Sequence, residues 1–212
     1  MNLKKIAIDC YYYTETDCYS VGIVFDDWKD QNPLFVIDSH TKNFERYQPG
    51  MFYKRELPGI MSILKQIDLT CYDTIIVDGY TWLQDDNGNI KPGLGMHVYN
   101  EIHKKYPHIK VVGVGKTKFG KNQGAYAEVF RGQSKNPLLV TCNNNKEKDF
   151  FADKVKHMCG RYRLPQLLKT LDHETKKYKN DYNLKVDYKD IKQTCKKRPY
   201  NTQKFKQFFK SA

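Results

Sequence analysis

Apolar positions along the chain fall into short runs separated by polar turns. Lys4 to Ile8 (KKIAI) reads as a short buried strand ending at Asp9. Tyr19 to Asp26 (YSVGIVFD) and Pro33 to Asp38 (PLFVID) read as two more strands, rich in β-branched and aromatic residues and bounded by turn formers. The three together predict an antiparallel meander. From Pro58 the spacing changes: Ile60, Ile63, Leu64 and Ile67 recur at helical intervals. A four-residue apolar strand, Thr74 to Val77, then ends in Asp78-Gly79.

Beyond it lie a turn-rich insert (Gln84 to Pro92, containing Asn87-Gly88) and a helix expected from about Gly95 to Lys105. Strands are predicted at Lys110 to Val114, Ala125 to Phe130 and Leu138 to Thr141, and a helix from about Asp149 to Cys159, stopped by Gly160. A Pro/Gly-rich loop is expected between Tyr47 and Pro58. A last helix is expected near Asn201 to Lys210, with Phe205, Phe208 and Phe209 on one face. A meander followed by strand–helix–strand alternation describes a mixed α/β sheet.

Charge divides the chain. The 212 residues carry 36 Lys and Arg against 24 Asp and Glu, a formal charge of +12. From His173 onward there are 12 Lys/Arg and 4 Asp/Glu, so +8 of that excess sits in the last 40 residues. We therefore expect a domain over residues 1–172 and a basic, Lys/Tyr-rich extension over 173–212. The extension suits a phosphate backbone, or else is a solvated tail.

Forty per cent hydrophobic and 14% aromatic content supports a real core rather than disorder. No run approaches the roughly 20 apolar residues of a membrane span. The segment MNLKKIAIDC enters a strand without a signal-type apolar region, so the expectation is a cytoplasmic protein with no membrane partner. Six cysteines lack CxxC or Cys/His ligand spacing, which argues for reduced thiols and against a structural zinc site.

Candidate chemistry rests on where the acids fall. Asp9 follows the first strand and Asp78 the fourth, and strand ends line the functional edge of an α/β sheet. Glu56 lies between them, just before the first predicted helix. Three carboxylates make a hard oxygen cage suited to Mg2+ or Mn2+, and on a basic protein such a cage suggests phosphodiester chemistry. Alternatively, each Asp is simply a turn residue after a buried strand.

Four blocks around these acids resemble endonuclease V, the family that nicks nucleic acid near hypoxanthine. IAIDC places Asp9 at the family's first metal-binding Asp. RYQPGMFYKRELP is similar to PYIPGxLxFREGP and keeps Tyr47, Pro49, Gly50, Arg55, Glu56 and Pro58. IIVDGYTWL matches the family's VDG at Asp78-Gly79, and VVGVGKTKF resembles GVAKxxL with Lys116 at the lysine. NPLLV and GRYRLP echo two later segments, so the blocks run in family order from Leu3 to Pro165.

The resemblance implies a ribonuclease H-like mixed sheet flanked by helices, with Mg2+ (or Mn2+) held by Asp9, Glu56 and Asp78. Lys116 would sit beside the scissile phosphate, and Asp149 would be either an accessory ligand or a helix N-cap. Tyr47, Pro49, Gly50, Phe52, Gly79, Lys118 and Arg163 would contact nucleic acid, the loop at Tyr47 to Phe52 acting as a wedge while the deaminated base leaves the stack. The implied activity is hydrolysis on the 3′ side of inosine in DNA or RNA, with monomer as the default state. The alternatives are binding without cleavage, or cleavage of unmodified nucleic acid.

The chain departs from the pattern at several places, among them Leu167, Leu168 and Lys169 where the family has PTR. Arg46 and Gln48 make the wedge more polar, Asn143-Asn144 replace a Gly-His pair, and a longer insert follows Gly79. In that insert Trp82 is either a stacking platform or a hydrophobic cover, and His97 is a candidate to replace the family's loop histidine.

Overall fold

The computed structural model describes residues 3–14, 17–42, 51–85, 87–118, 125–177 and 196–200. Strands β1 (Lys4–Tyr12), β2 (Asp17–Phe25) and β3 (Phe35–Lys42) form the expected antiparallel meander. Helix α1 (Phe52–Leu64) leads to β4 (Tyr72–Asp78), a small hairpin of β5 (Trp82–Gln84) and β6 (Ile90–Pro92), and α2 (Leu94–Ile102). Then come β7 (Lys110–Gly115), β8 (Ala127–Val129), β9 (Leu138–Cys142), α3 (Lys148–Lys156), α4 (Gln166–Lys176) and β10 (Lys196–Pro199).

Eight strands make one sheet in the order β10-β3-β2-β1-β4-β7-β9-β8. Its centre is parallel: β1 pairs with β4 and β4 with β7, while every other pairing is antiparallel. Crossover helices cover both faces, which is why β4, β7 and β9 read as nearly unbroken apolar runs.

Side chains alternate between the two faces. Ile6, Ile8, Ile75 and Val77 pack under α1 and α2, against Ile60, Ile63, Val98 and Ile102. Ala7, Val21, Ile76, Val114 and Val140 pack under α3 and α4, against Phe151, Val155, Leu167 and Leu171. Among the described residues no helix is long and apolar enough to cross a membrane. Among the described residues, Cys10, Cys18, Cys71, Cys142 and Cys159 form no disulfide.

Three differences from the sequence reading bear on the site. β1 does not end at Asp9. It continues to Tyr12, because Tyr11 and Tyr12 find partners in Tyr19 and Cys18 of β2. Helix α1 starts six residues before Pro58, so Glu56 lies inside the helix rather than ahead of it. Glu56, Ile60 and Ile63 are all buried at helical spacing, and that stripe carries the helix through a proline.

The third difference is α4, which was not expected at all. It runs through position 172, so the boundary drawn there from charge falls inside an element. Leu167, Leu168, Leu171 and Thr175 bury one of its faces under the sheet. Beyond it, β10 pairs with β3 as the outermost strand. The helix expected near Asn201 to Lys210 and the wedge residues Tyr47, Pro49 and Gly50 lie outside the described residues.

Candidate active site

Register brings the first two acids together. β1 and β4 run side by side with Ile8 opposite Val77, so Asp9 and Asp78 are the next residues on adjacent parallel strands. Both belong to the α4 side of the sheet by alternation with Ala7 and Ile76. Immediately after Asp78, Gly79 turns the chain away at φ +131°, a backbone conformation that L side chains rarely adopt.

Glu56 arrives from the opposite layer. One turn further along α1, Gly59 faces β2 so closely that a Cβ there would lie 2.3 Å from Ser20 Oγ. That approach pushes the helix, and Glu56 with it, down onto the sheet edge. Glu56 is only 6% exposed, and among the described residues no group donates a hydrogen bond to its carboxylate.

The fourth acid is Asp172, which sequence reasoning missed. It stands on α4 beside Lys116, whose Nζ is 2.6 Å from Asp78 Oδ2 and 3.6 Å from Asp172 Oδ1. Lys176 Nζ also reaches Asp172 Oδ1, at 2.7 Å. Asp9 Oδ1 accepts the Cys10 N–H at 2.8 Å, and its Oδ2 accepts the Thr175 hydroxyl at 3.4 Å. Asp9, Glu56, Asp78, Asp172 and Lys116 all line one cleft of about 380 Å³, together with Phe52, Gly79, Tyr80 and Tyr11.

Crowding shows in the protonation of the acids. Burial, then the neighbouring Asp78, pushes Asp9 up to about 7, although Lys116 works against them. Burial, then Asp9 and Asp78, holds Glu56 well above the ordinary carboxylate range. Burial alone pulls the Lys116 ammonium down, but Asp78, Asp9 and Asp172 together hold it above the ordinary lysine value. With four carboxylates against Lys116 and Lys176, the cluster is short of positive charge.

A divalent cation fits that deficit. The donors are all hard carboxylate oxygens, and Glu56 is buried without a donor of its own. As the side chains stand, no three His, Cys, Asp or Glu among the described residues converge tightly enough to share an ion. Lys116 draws Asp78 and Asp172 to itself. Cys10 offers no competing thiolate chemistry, since its hydrogen bond with Cys18 and then burial push the thiol up.

The remaining expected residues divide. Phe52, first residue of α1 and 46% exposed, and Gly79 both line the cleft. Lys118 is exposed and pairs with Glu128 at 3.0 Å. Arg163 is spent on structure: its guanidinium donates to the Lys116 and Pro137 carbonyls, fixing the strand end that carries Lys116. Asp149 does not join the cleft. It is exposed in the first turn of α3, whose N-cap is Glu147, so it is not the cap either. His97 stacks on Tyr53 with ring centroids 3.5 Å apart and does not line the cleft.

The architecture is an endonuclease V fold, a ribonuclease H-like mixed sheet flanked by helices. Endonuclease V of Bacillus subtilis superposes with a TM-score of 0.64 at 20% identity, covering 88% of this chain and 84% of that one. Human endonuclease V matches with a TM-score of 0.64 at 13% identity, over 85% of this chain and 86% of that one. The Ciona intestinalis endonuclease V, solved with a 24-mer DNA containing an inosine followed by a ribo-adenosine, gives 0.65 at 14% identity over 84% and 87%. No protein-family model matches the chain. No curated protein matches it in sequence either.

Proposed function

We propose that the chain is a divergent endonuclease V, a divalent-metal-dependent endonuclease that hydrolyses a phosphodiester on the 3′ side of a deaminated purine in DNA or RNA. One observation carries the reading: Asp9, Glu56, Asp78, Asp172 and Lys116 line a single cleft beside the adjacent parallel strands β1, β4 and β7. The acids come from four separate elements. A protein that only bound nucleic acid would gain nothing from clustered carboxylates that repel phosphate.

Mg2+ or Mn2+, held by Asp9, Glu56, Asp78 and Asp172, would supply activation of the attacking water and neutralisation of charge on the phosphate oxygens. The chain's own groups do the rest. Lys116 leaves its carboxylates for a phosphate oxygen, where a compact ammonium stabilises developing negative charge. Phe52 and Gly79 border the same cleft, an apolar face and a bare backbone against which an extruded base can rest. Water's oxygen bonds to phosphorus and the bond to the 3′ oxygen breaks. The attacking water gives up a proton to solvent and the leaving oxygen takes one, giving 3′-hydroxyl and 5′-phosphate ends.

The test is incubation with end-labelled DNA and RNA, each with and without one inosine, in Mg2+ and in Mn2+. Chelated samples and an Asp78→Asn variant are the controls. A nick 3′ of inosine that disappears in both controls is the expected result, and the better substrate names the polymer. Metal-dependent cutting that ignores inosine retains the nuclease and removes the base requirement. Binding without cutting removes the catalytic reading altogether.

A further inference from the structure

The insert after Gly79 builds a second cavity. The β5–β6 hairpin and the segment that follows β9 enclose about 290 Å³ lined by Trp82, Ile90, Ala125, Asn143, Asn144 and Asn145. None of these residues lines the carboxylate cleft. Trp82 is half-buried and anchored by its edge, since its Nε1–H donates to the Asn143 carbonyl at 3.2 Å. That bond fixes the plane of the indole. Ile90, opposite Gln84 in the hairpin, is 61% exposed and so presents its aliphatic side chain to solvent.

Two of the three asparagines in the polar wall turn donors toward a ligand. Asn143 Oδ1 already accepts the Val111 N–H at 2.9 Å, and Asn144 Oδ1 accepts the Lys146 N–H at 3.3 Å. The amide NH2 groups of both remain as donors with no partner among the described residues. Lys91 and Lys146, chain neighbours of Ile90 and Asn145, are exposed and form no ion pair among the described residues. The site therefore combines a fixed aromatic ring, an aliphatic wall, amide donors and nearby cations. A ring for stacking, donors for acceptor atoms on a base edge, and charge for the backbone are the components of single-strand recognition.

We propose that this cavity is a second nucleobase subsite, in which an unpaired base of the same polynucleotide stacks on Trp82 and offers its acceptor edge to Asn143 and Asn144. The inference rests on the nuclease reading above. Trp82 lies four positions beyond Asp78, so the two Cα atoms are at most about 14 Å apart. At about 3.4 Å per stacked nucleotide, a strand spans that Cα separation in about four nucleotides, so the bound base lies a few nucleotides from the cleaved bond. The subsite thus acts on strand placement rather than on the chemistry.

The chain has two tryptophans, and the other, Trp28, is packed between Phe25 and Phe151. In a Trp28→Phe variant, emission from Trp82 is followed while a fluorescein-labelled single-stranded oligonucleotide carrying inosine is added in chelator. DNA and RNA versions are both used, and label anisotropy reports binding independently. The expected result is quenching of Trp82 in step with the anisotropy. Trp82→Ala should weaken binding about five- to 150-fold, the range for losing one base–aromatic stack. Trp82→Phe keeps a ring but loses the bond to Asn143, and should bind close to wild type. Binding without quenching, or Trp82→Phe as impaired as Trp82→Ala, overturns the subsite while leaving the nuclease reading intact. Absence of binding by every version overturns both.

Discussion

Lys116 Nζ bridges Asp78 Oδ2 at 2.6 Å and Asp172 Oδ1 at 3.6 Å, so a single ammonium ties the end of β4 to α4 across the cleft. The same ammonium lowers the proton affinity of Asp9. Removing it has two consequences of different kinds. Lys116→Ala should cut the rate by about 10²- to 10³-fold, the usual loss when one group stabilising a charged transition state is deleted. It should also move the acidic limb of the pH–rate profile upward, because Asp9 then titrates above about 7. A rate loss with an unmoved limb would show that Lys116 serves the phosphate alone.

Asp9 also makes stability depend on pH. Its folded-state value of about 7 lies above the ordinary 3.8, so the folded protein prefers the protonated acid. That preference costs nothing below about pH 4, where both states are protonated. Stability falls as pH rises from about 4 to 7 and is then flat, by at most about 4 kcal/mol at 1.36 kcal/mol per unit. In chelator, Asp9→Asn should therefore be more stable than wild type at pH 8 and no different at pH 4. Urea melts at the two pH values measure this directly. Mg2+ at pH 8 should raise the Tm of wild type and have little effect on the variant.

Asp172 should separate binding from cutting. Its carboxylate lines the cleft between two lysines, so Asp172→Asn removes negative charge without removing volume. Cleavage should drop by orders of magnitude. Affinity for the oligonucleotide should hold or improve, since a phosphate then meets one fewer repelling group. A gel shift beside a cleavage assay on the same variant reads both. Equal loss in the two assays would place Asp172 in substrate binding instead.

Asp172 also marks the limit of what the sequence disclosed. Asp9 and Asp78 were legible because each follows an apolar run, and neighbouring parallel strands deliver such residues to one edge. Glu56 was legible through the KREL block, but not as the buried face of a helix, because Pro58 looked like a start signal. The stripe Glu56, Ile60, Ile63 contains that information, hidden by the charge of its first member. Asp172 falls just where the basic excess begins, so the boundary expected there cuts through α4. Leu167, Leu168, Leu171 and Thr175 show the helical spacing that would have revealed it. The Lys116 ion pairs and the Trp82 cavity depend on through-space contacts between distant segments, which no local pattern encodes.

Gly59 is where the position of Glu56 is set. A Cβ at this residue would lie 2.3 Å from Ser20 Oγ and 3.3 Å from both Cys10 Sγ and Cys18 Sγ. Gly59→Ala must therefore lift α1 from β2 or turn Ser20 aside. Overpacking of this kind costs about 1–3 kcal/mol, offset in part by the better helix propensity of alanine, about 1 kcal/mol. At about 2–4 °C per kcal/mol, the Tm should fall by only a few degrees. Activity should fall much further, because a displacement of about 1 Å in a positioned group can cost about 10²-fold. Ser20→Ala in the same chain removes the colliding oxygen and should restore most of the rate. A double-mutant cycle in both Tm and cleavage rate measures the coupling. If Gly59→Ala loses stability yet cuts at the wild-type rate, Glu56 takes its position from elsewhere in the cleft.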